Sequence, residues 1–155
     1  MKTLNNYILE KLILKKNLNK ENPFFKLRDI LRKDSRNYET NRKEIFNWFD
    51  KNKEIFPESF DLMIDGSEIH IGKHYKTIKN IPFIFNLSHD NDEDLCMHLE
   101  KPNVDSPESL KKFFIDIFGS IRNYYDFIYD LINNYEFSNC YETNDSIKCK
   151  LFDKN

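Results

Sequence analysis

The sequence contains no alanine and no glutamine, a single valine (Val104) and only three glycines, Gly66, Gly72 and Gly119, each standing alone. Isolated glycines exclude the Gly-rich loops that cradle phosphates, which need several residues free of a side chain so that the backbone can approach the ligand. The three cysteines include no Cys-x-x-Cys spacing, so a zinc site built on that motif is excluded. No apolar run approaches the roughly 20 residues that cross a bilayer, and the nearest stretch, Ile8 to Leu14, is broken by Glu10 and Lys11. Neither a membrane span nor a signal peptide is expected. The missing alanine, with abundant Lys, Asn and Ile, is what an AT-rich coding sequence produces, so Ile-for-Val and Lys-for-Arg choices carry little structural information.

What is present describes a folded chain. The 155 residues are 39% hydrophobic, 32% charged and 15% aromatic, and 14 Phe with 8 Tyr must be packed or shown to a partner. That length suits one domain, 1–155, with one sizeable core. The net charge of -2 hides a polarity along the chain. Residues 1–53 hold 14 basic and 7 acidic side chains, leaving 10 basic and 19 acidic in residues 54–155. The expected organisation is a basic helical part, 1–56, followed by an acidic, strand-rich part, 57–155, each able to steer a different partner.

Helical spacing governs the first part. Leu4, Ile8, Leu9, Leu12 and Ile13 form a stripe behind Thr3, a candidate cap; a second helix runs from about Pro23 to Lys33 on Phe24, Leu27, Ile30 and Leu31. A third starts at Thr40 or Asn41, with Glu44 placed to answer Asn41 in a capping box, and carries Ile45, Phe46, Trp48, Phe49 and Ile55. From Ser59 the period becomes two. Phe60, Leu62 and Ile64 alternate with Asp61, Met63 and Asp65 up to a turn at Asp65-Gly66, which sets His70 opposite Asp61, and Ile69 and Ile71 return. Ile81, Phe83, Phe85 and Leu87, then Leu95, Met97 and Leu99, make a second hairpin around an acidic tip.

Ser106, Pro107 and Glu108 then open a helix by three separate signals: cap, proline at the first position and an acid in the first turn. Its apolar set Leu110, Phe114, Ile117, Ile121, Tyr124, Ile128, Leu131 and Tyr135 steps by fours and threes, with Phe113, Phe118, Tyr125, Phe127 and Ile132 widening the stripe. One amphipathic helix over about 106–136 would span roughly 45 Å. It either bends at Gly119-Ser120 or carries an interface, a homodimer included. A final hairpin, Phe137 to Thr143 and Ser146 to Phe152, turns at Asn144-Asp145 and sets Cys140 against Cys149 at a non-hydrogen-bonded position, where a disulfide fits and where a reducing cytosol would keep two thiols. Cys96 reads as a buried thiol. The fold class is therefore α+β: three N-terminal helices, a mainly antiparallel sheet built from hairpins, and a long helix packed on it.

No constellation here carries catalysis. Asp90, Asp92 and Asp94 stand at alternate positions as in a calcium loop, but Leu95 replaces the glycine and Lys101 the final glutamate that such a loop requires. His70, His74, His89 and His98 lack helical ligand spacing, and Ser88-His89-Asp90 lacks an oxyanion-forming glycine. No enzyme, cofactor or metal is expected. Two binding classes remain. Arg28, Arg32, Arg36, Arg42 and Lys43 surround the turn between two helices, as in a nucleic-acid-binding helical pair, yet acids are interspersed among them. Against that, Asp90, Asp92, Glu93, Asp94 and Glu100, with Asp61, Asp65 and Glu68, offer an acidic surface to a basic protein. The favoured expectation is a cytoplasmic protein-binding inhibitor. Its character resembles that of bacterial immunity proteins, which neutralise a basic toxin or nuclease, and a phage inhibitor of a host defence would look alike.

Overall fold

In a computed structural model the described residues are 3–6, 22–34, 36–73, 83–88, 94–100 and 107–151. The Thr3 hydroxyl accepts from the Asn6 amide at 3.2 Å ahead of helical residues 4–6, and the remainder of the first expected helix lies outside the described residues. Helix α1 (Pro23–Arg32) starts with proline at its first turn, behind Asn22, whose side-chain oxygen accepts from the Phe24 amide at 3.0 Å. Asn22 also donates through Nδ2 to the Tyr135 carbonyl at 2.6 Å, tying this helix start to a segment 113 residues later.

The expected capping box does not form. A 3₁₀ turn, Tyr38–Asn41, precedes α2 (Arg42–Lys51) and takes its cap from Asn37, which accepts from the Glu39 amide. Asn41 is thereby freed to donate to the Ile30 carbonyl at 3.1 Å, and Glu44 pairs with Lys33 at 2.8 Å. Ile55 sits beyond the helix in a separate 3₁₀ turn, Lys53–Ile55.

Six strands form one antiparallel sheet: β1 (Asp61–Asp65), β2 (Glu68–Gly72), β3 (Phe83–Leu87), β4 (Leu95–Glu100), β5 (Phe137–Glu142) and β6 (Ser146–Leu151), in the order β1-β2-β3-β4-β6-β5. Alternation splits each strand between two faces. Leu62, Ile64, Ile69, Ile71, Phe83, Phe85, Leu95, Met97, Leu99 and Leu151 are buried on the face that receives the helices. There Phe85 packs on Phe24 of α1 at 5.4 Å between ring centres.

Two registers differ from expectation. The β1–β2 turn is centred on Gly66-Ser67, with Asp65 paired to Glu68 and His70 to Met63 rather than to Asp61. Gly66 holds φ +59°, so the residue free of a side chain sits inside the turn, and the resulting slip of two keeps every side chain on its expected face. In the last hairpin Tyr141 pairs with Lys148 and Glu142 with Ile147, as the turn at Asn144-Asp145 predicts, and only beyond them does the register shift by one, to Ser138 with Lys150. Asn139, at φ +53°, takes up the extra residue.

The single long helix is two helices, α3 (Pro107–Phe118) and α4 (Ile121–Asn134). Gly119 takes φ +87° and donates to the Ile115 carbonyl at 2.9 Å, closing α3; Ser120 accepts from the Asn123 amide at 3.0 Å, opening α4. Asn123 Nδ2 reaches back to the Phe118 carbonyl at 2.9 Å. The break brings Tyr124 against Phe114, 4.3 Å between ring centres, with Phe118 meeting Phe60 and Phe127 meeting Phe83.

Tyr124 is buried, and its hydroxyl has no hydrogen-bond partner among the described residues. Burial, reinforced by Tyr125 and Glu142, pushes its phenol well above the ordinary value. An orphaned buried hydroxyl is a cost rather than a support. Tyr124→Phe is therefore expected to raise the unfolding free energy by about 1 kcal/mol in urea titrations. A loss of stability would show that the hydroxyl is bonded in solution.

Candidate functional site

The sheet's other face is the more polar one, and the hairpin registers align one residue from every strand across it: Met63, His70, Ile84, His98, Lys148 and Tyr141. At the β1 edge the row is flanked by Asp61, Asp65 and Glu68, and on β6, one strand in from the opposite edge, by Lys150. The face thus runs from acidic to basic across the sheet. Asp61 and Asp65 are exposed on either side of Met63, which is 44% exposed, because strict alternation in β1 sends Leu62 and Ile64 into the core. Glu68 accepts from or pairs with His70 Nε2 at 3.1 Å.

The structure therefore gathers Asp61, Asp65 and Glu68 at one hairpin. It does not gather the rest of the expected acidic set with them. Glu100 lies on the same face but on β4, separated from β1 by two strands, and Asp94 precedes β4 at its opposite end, where its carbonyl accepts from Ser88. Asp90, Asp92 and Glu93 lie outside the described residues, as do His74 and His89. At about 3.3 Å per strand residue, Asp61 and Asp65 stand about 13 Å apart and do not converge on one ion. Among the described residues no group of three or more His, Cys, Asp or Glu side chains is arranged to hold a metal.

The basic face is not assembled as expected. Arg28 is only 7% exposed, with its guanidinium 4.9 Å from the Phe25 ring centre, so it belongs to the packing of α1 and not to a surface. Arg32, Arg36, Arg42 and Lys43 are exposed, but Arg42 lies over Phe46 and within 3.7 Å of Glu39. A groove of about 460 Å³ between α1 and α2 has Lys26, Lys33 and Lys51 on its walls together with Asp29 and Glu44. Acids inside the groove oppose a phosphate chain.

A second groove, about 500 Å³, opens on the polar face over β3, β4, β6 and β5 and is lined by Asn86, Cys96, His98, Tyr141, Lys148 and Lys150. Partial burial, and then the charge of Lys148, hold the His98 imidazole below its ordinary value, against the opposing pull of Glu100 and Glu68. Cys96, expected to be buried, is half-buried here. Cys140 and Cys149 are joined as a disulfide with their α-carbons 4.2 Å apart, on the edge hairpin behind this groove.

Sequence reasoning missed one surface. Ile121 and Tyr125, expected in the core, are 39% and 49% exposed, and Tyr129 is 69% exposed. They follow one another at four-residue steps along α4, while Tyr124, Ile128 and Leu131 take the buried side. The signal was available: Tyr129 continues the Ile121, Tyr125 series beside the charged Arg122 and Asp126, a polar neighbourhood for a core stripe. Among the described residues no helix is long and apolar enough to cross a membrane. No protein family, no characterised protein and no solved structure matches this chain.

Proposed function

We propose that this chain is a protein-binding inhibitor, of the kind that neutralises a basic toxin or effector in the cytoplasm, and that the β1–β2 hairpin receives the partner. The observation that carries the reading is the outermost strand itself, which shows Asp61, Met63 and Asp65 together on one face with Glu68 beside them. An exposed apolar side chain set among three carboxylates suits a protein surface bearing Lys or Arg around an apolar contact. Carboxylates at an edge strand's exposed positions steer such a surface from a distance and cost little to desolvate at the rim.

The test begins with affinity capture of the partner from the source cells, followed by association kinetics. Replacing Asp61 and Asp65 by Asn and Glu68 by Gln is expected to slow association about tenfold at low salt and to flatten its salt dependence, with the melting temperature unchanged. An unaltered association rate overturns the assignment of the hairpin. Salt-sensitive micromolar binding to mixed-sequence duplex DNA, abolished by replacing Arg32, Arg36, Arg42 and Lys43, would put a nucleic acid in the partner's place.

A further inference from the structure

Helix α4 packs on the sheet's apolar face through Phe127, whose ring lies 5.9 Å from that of Phe83. Its outward side is therefore remote from the acidic hairpin, whose carboxylates use the opposite face. That outward side shows Ile121, Tyr125 and Tyr129 in one line about 12 Å long, at 1.5 Å per residue. Two tyrosines and an isoleucine so exposed form the kind of aromatic centre around which protein interfaces are built. Along one flank of the line run Arg122 and Asp126, both exposed and one turn apart. The flank carries both signs, its one cation Arg122 followed by Asp126 and, a further turn on, the exposed Asp130. It matches itself.

We propose that the chain forms a two-fold symmetric homodimer in which α4 packs antiparallel against α4 of a second copy. With the axis at Tyr125, that ring meets Tyr125 of the second copy, and Ile121 meets Tyr129 in both directions. In an antiparallel helix pair each flank faces its own counterpart. Arg122 then stands beside Asp126 of the second copy, and Asp126 beside Arg122, giving two equivalent ion pairs that bracket the aromatic contact. The pairing closes on itself and leaves no repeating surface. Both acidic hairpins stay uncovered, so the dimer presents two copies of the binding face and gains avidity toward a partner that is itself dimeric or repeated.

Sedimentation velocity on the full chain, from about 1 µM to about 1 mM, is the direct measurement, since an interface of this small size falls in the weak range. A concentration-dependent monomer–dimer equilibrium is expected. Tyr125→Glu abolishes it, and Arg122→Asp or Asp126→Arg alone weakens it tenfold or more, because like charges then face each other twice. Mixing the Arg122→Asp chain with the Asp126→Arg chain restores dimers at wild-type strength, since one ion pair is then the original one and the other is re-formed in opposite sense. Unchanged thermal melts confirm that these exposed substitutions leave the fold intact, and Tyr129→Ala provides a milder variant expected to weaken the dimer. A wild-type chain that stays monomeric throughout, or a dimer indifferent to Tyr125→Glu, overturns the proposal. So does a mixture that fails to associate. None of these outcomes depends on the hairpin's partner.

Discussion

Phe24→Ala is expected to remove about 3–5 kcal/mol of unfolding free energy, the largest effect of any single truncation named here. Phe24 is fully buried, and its ring lies 5.5 Å from Trp48 of α2, 5.4 Å from Phe85 of β3, 5.1 Å from Tyr135 after α4 and 5.1 Å from Phe137 of β5. Four elements from distant parts of the chain converge on one side chain. The site cannot collapse without moving several of them, and a residual cavity adds to the lost transfer free energy. Guanidinium denaturation measures the loss. Phe25→Ala, one residue on and half-buried, is the control and is expected to cost far less. A cost for Phe24→Ala no larger than the control's would mean that the four elements are held together elsewhere.

Replacing Cys140 and Cys149 together by serine is expected to cost about 3 kcal/mol relative to the oxidised chain. The bond closes a loop of sequence separation 9, and the unfolded chain recovers that closure entropy when the link is removed. Reduction with dithiothreitol should reproduce the loss in the wild type and change nothing in the double variant. The same chemistry reports on compartment. Alkylation of the protein as it leaves its source cells labels Cys96, Cys140 and Cys149 if it resides in a reducing cytoplasm, and spares Cys140 and Cys149 if it resides in an oxidising space. Equal stability of the oxidised chain and the serine variant would show that the hairpin hydrogen bonds alone fix this edge.

Strand content was legible because the sheet is asymmetric. Leu62 and Ile64, and Met97 and Leu99, alternate with less buried residues, whereas β3 carries the buried Ile84 between Phe83 and Phe85 and is apolar on both faces there. The bulge at Asn139 was not legible, since no glycine marks it; the positive φ and the register shift show it. Gly119-Ser120 was readable as the point where the helix bends, but the contact that the break makes, Tyr124 against Phe114, was not. For the candidate site, each acidic residue could be picked out, whereas their grouping depends on strand order. Asp61, Asp65 and Glu68 share a hairpin and come together through local pairing; Glu100 is kept apart by intervening strands. Arg28 was an error of reading rather than of information. It stands four residues after Phe24 and three before Leu31, on the helix side that those two bury.

The strand order has a bearing on synthesis. In β1-β2-β3-β4-β6-β5, the strand translated last among the six lies between β4 and β5, pairing with both. Until Ser146–Leu151 has emerged from the ribosome, β4 is an open edge and β5 has no strand to join. The nascent chain therefore waits with Met97 and Leu99 on an unpaired border and Phe137 unattached, the condition in which strands recruit the wrong neighbour. A pause in translation just upstream of residue 146 would prolong that vulnerable interval, whereas rapid completion of β6 would seal both seams at once.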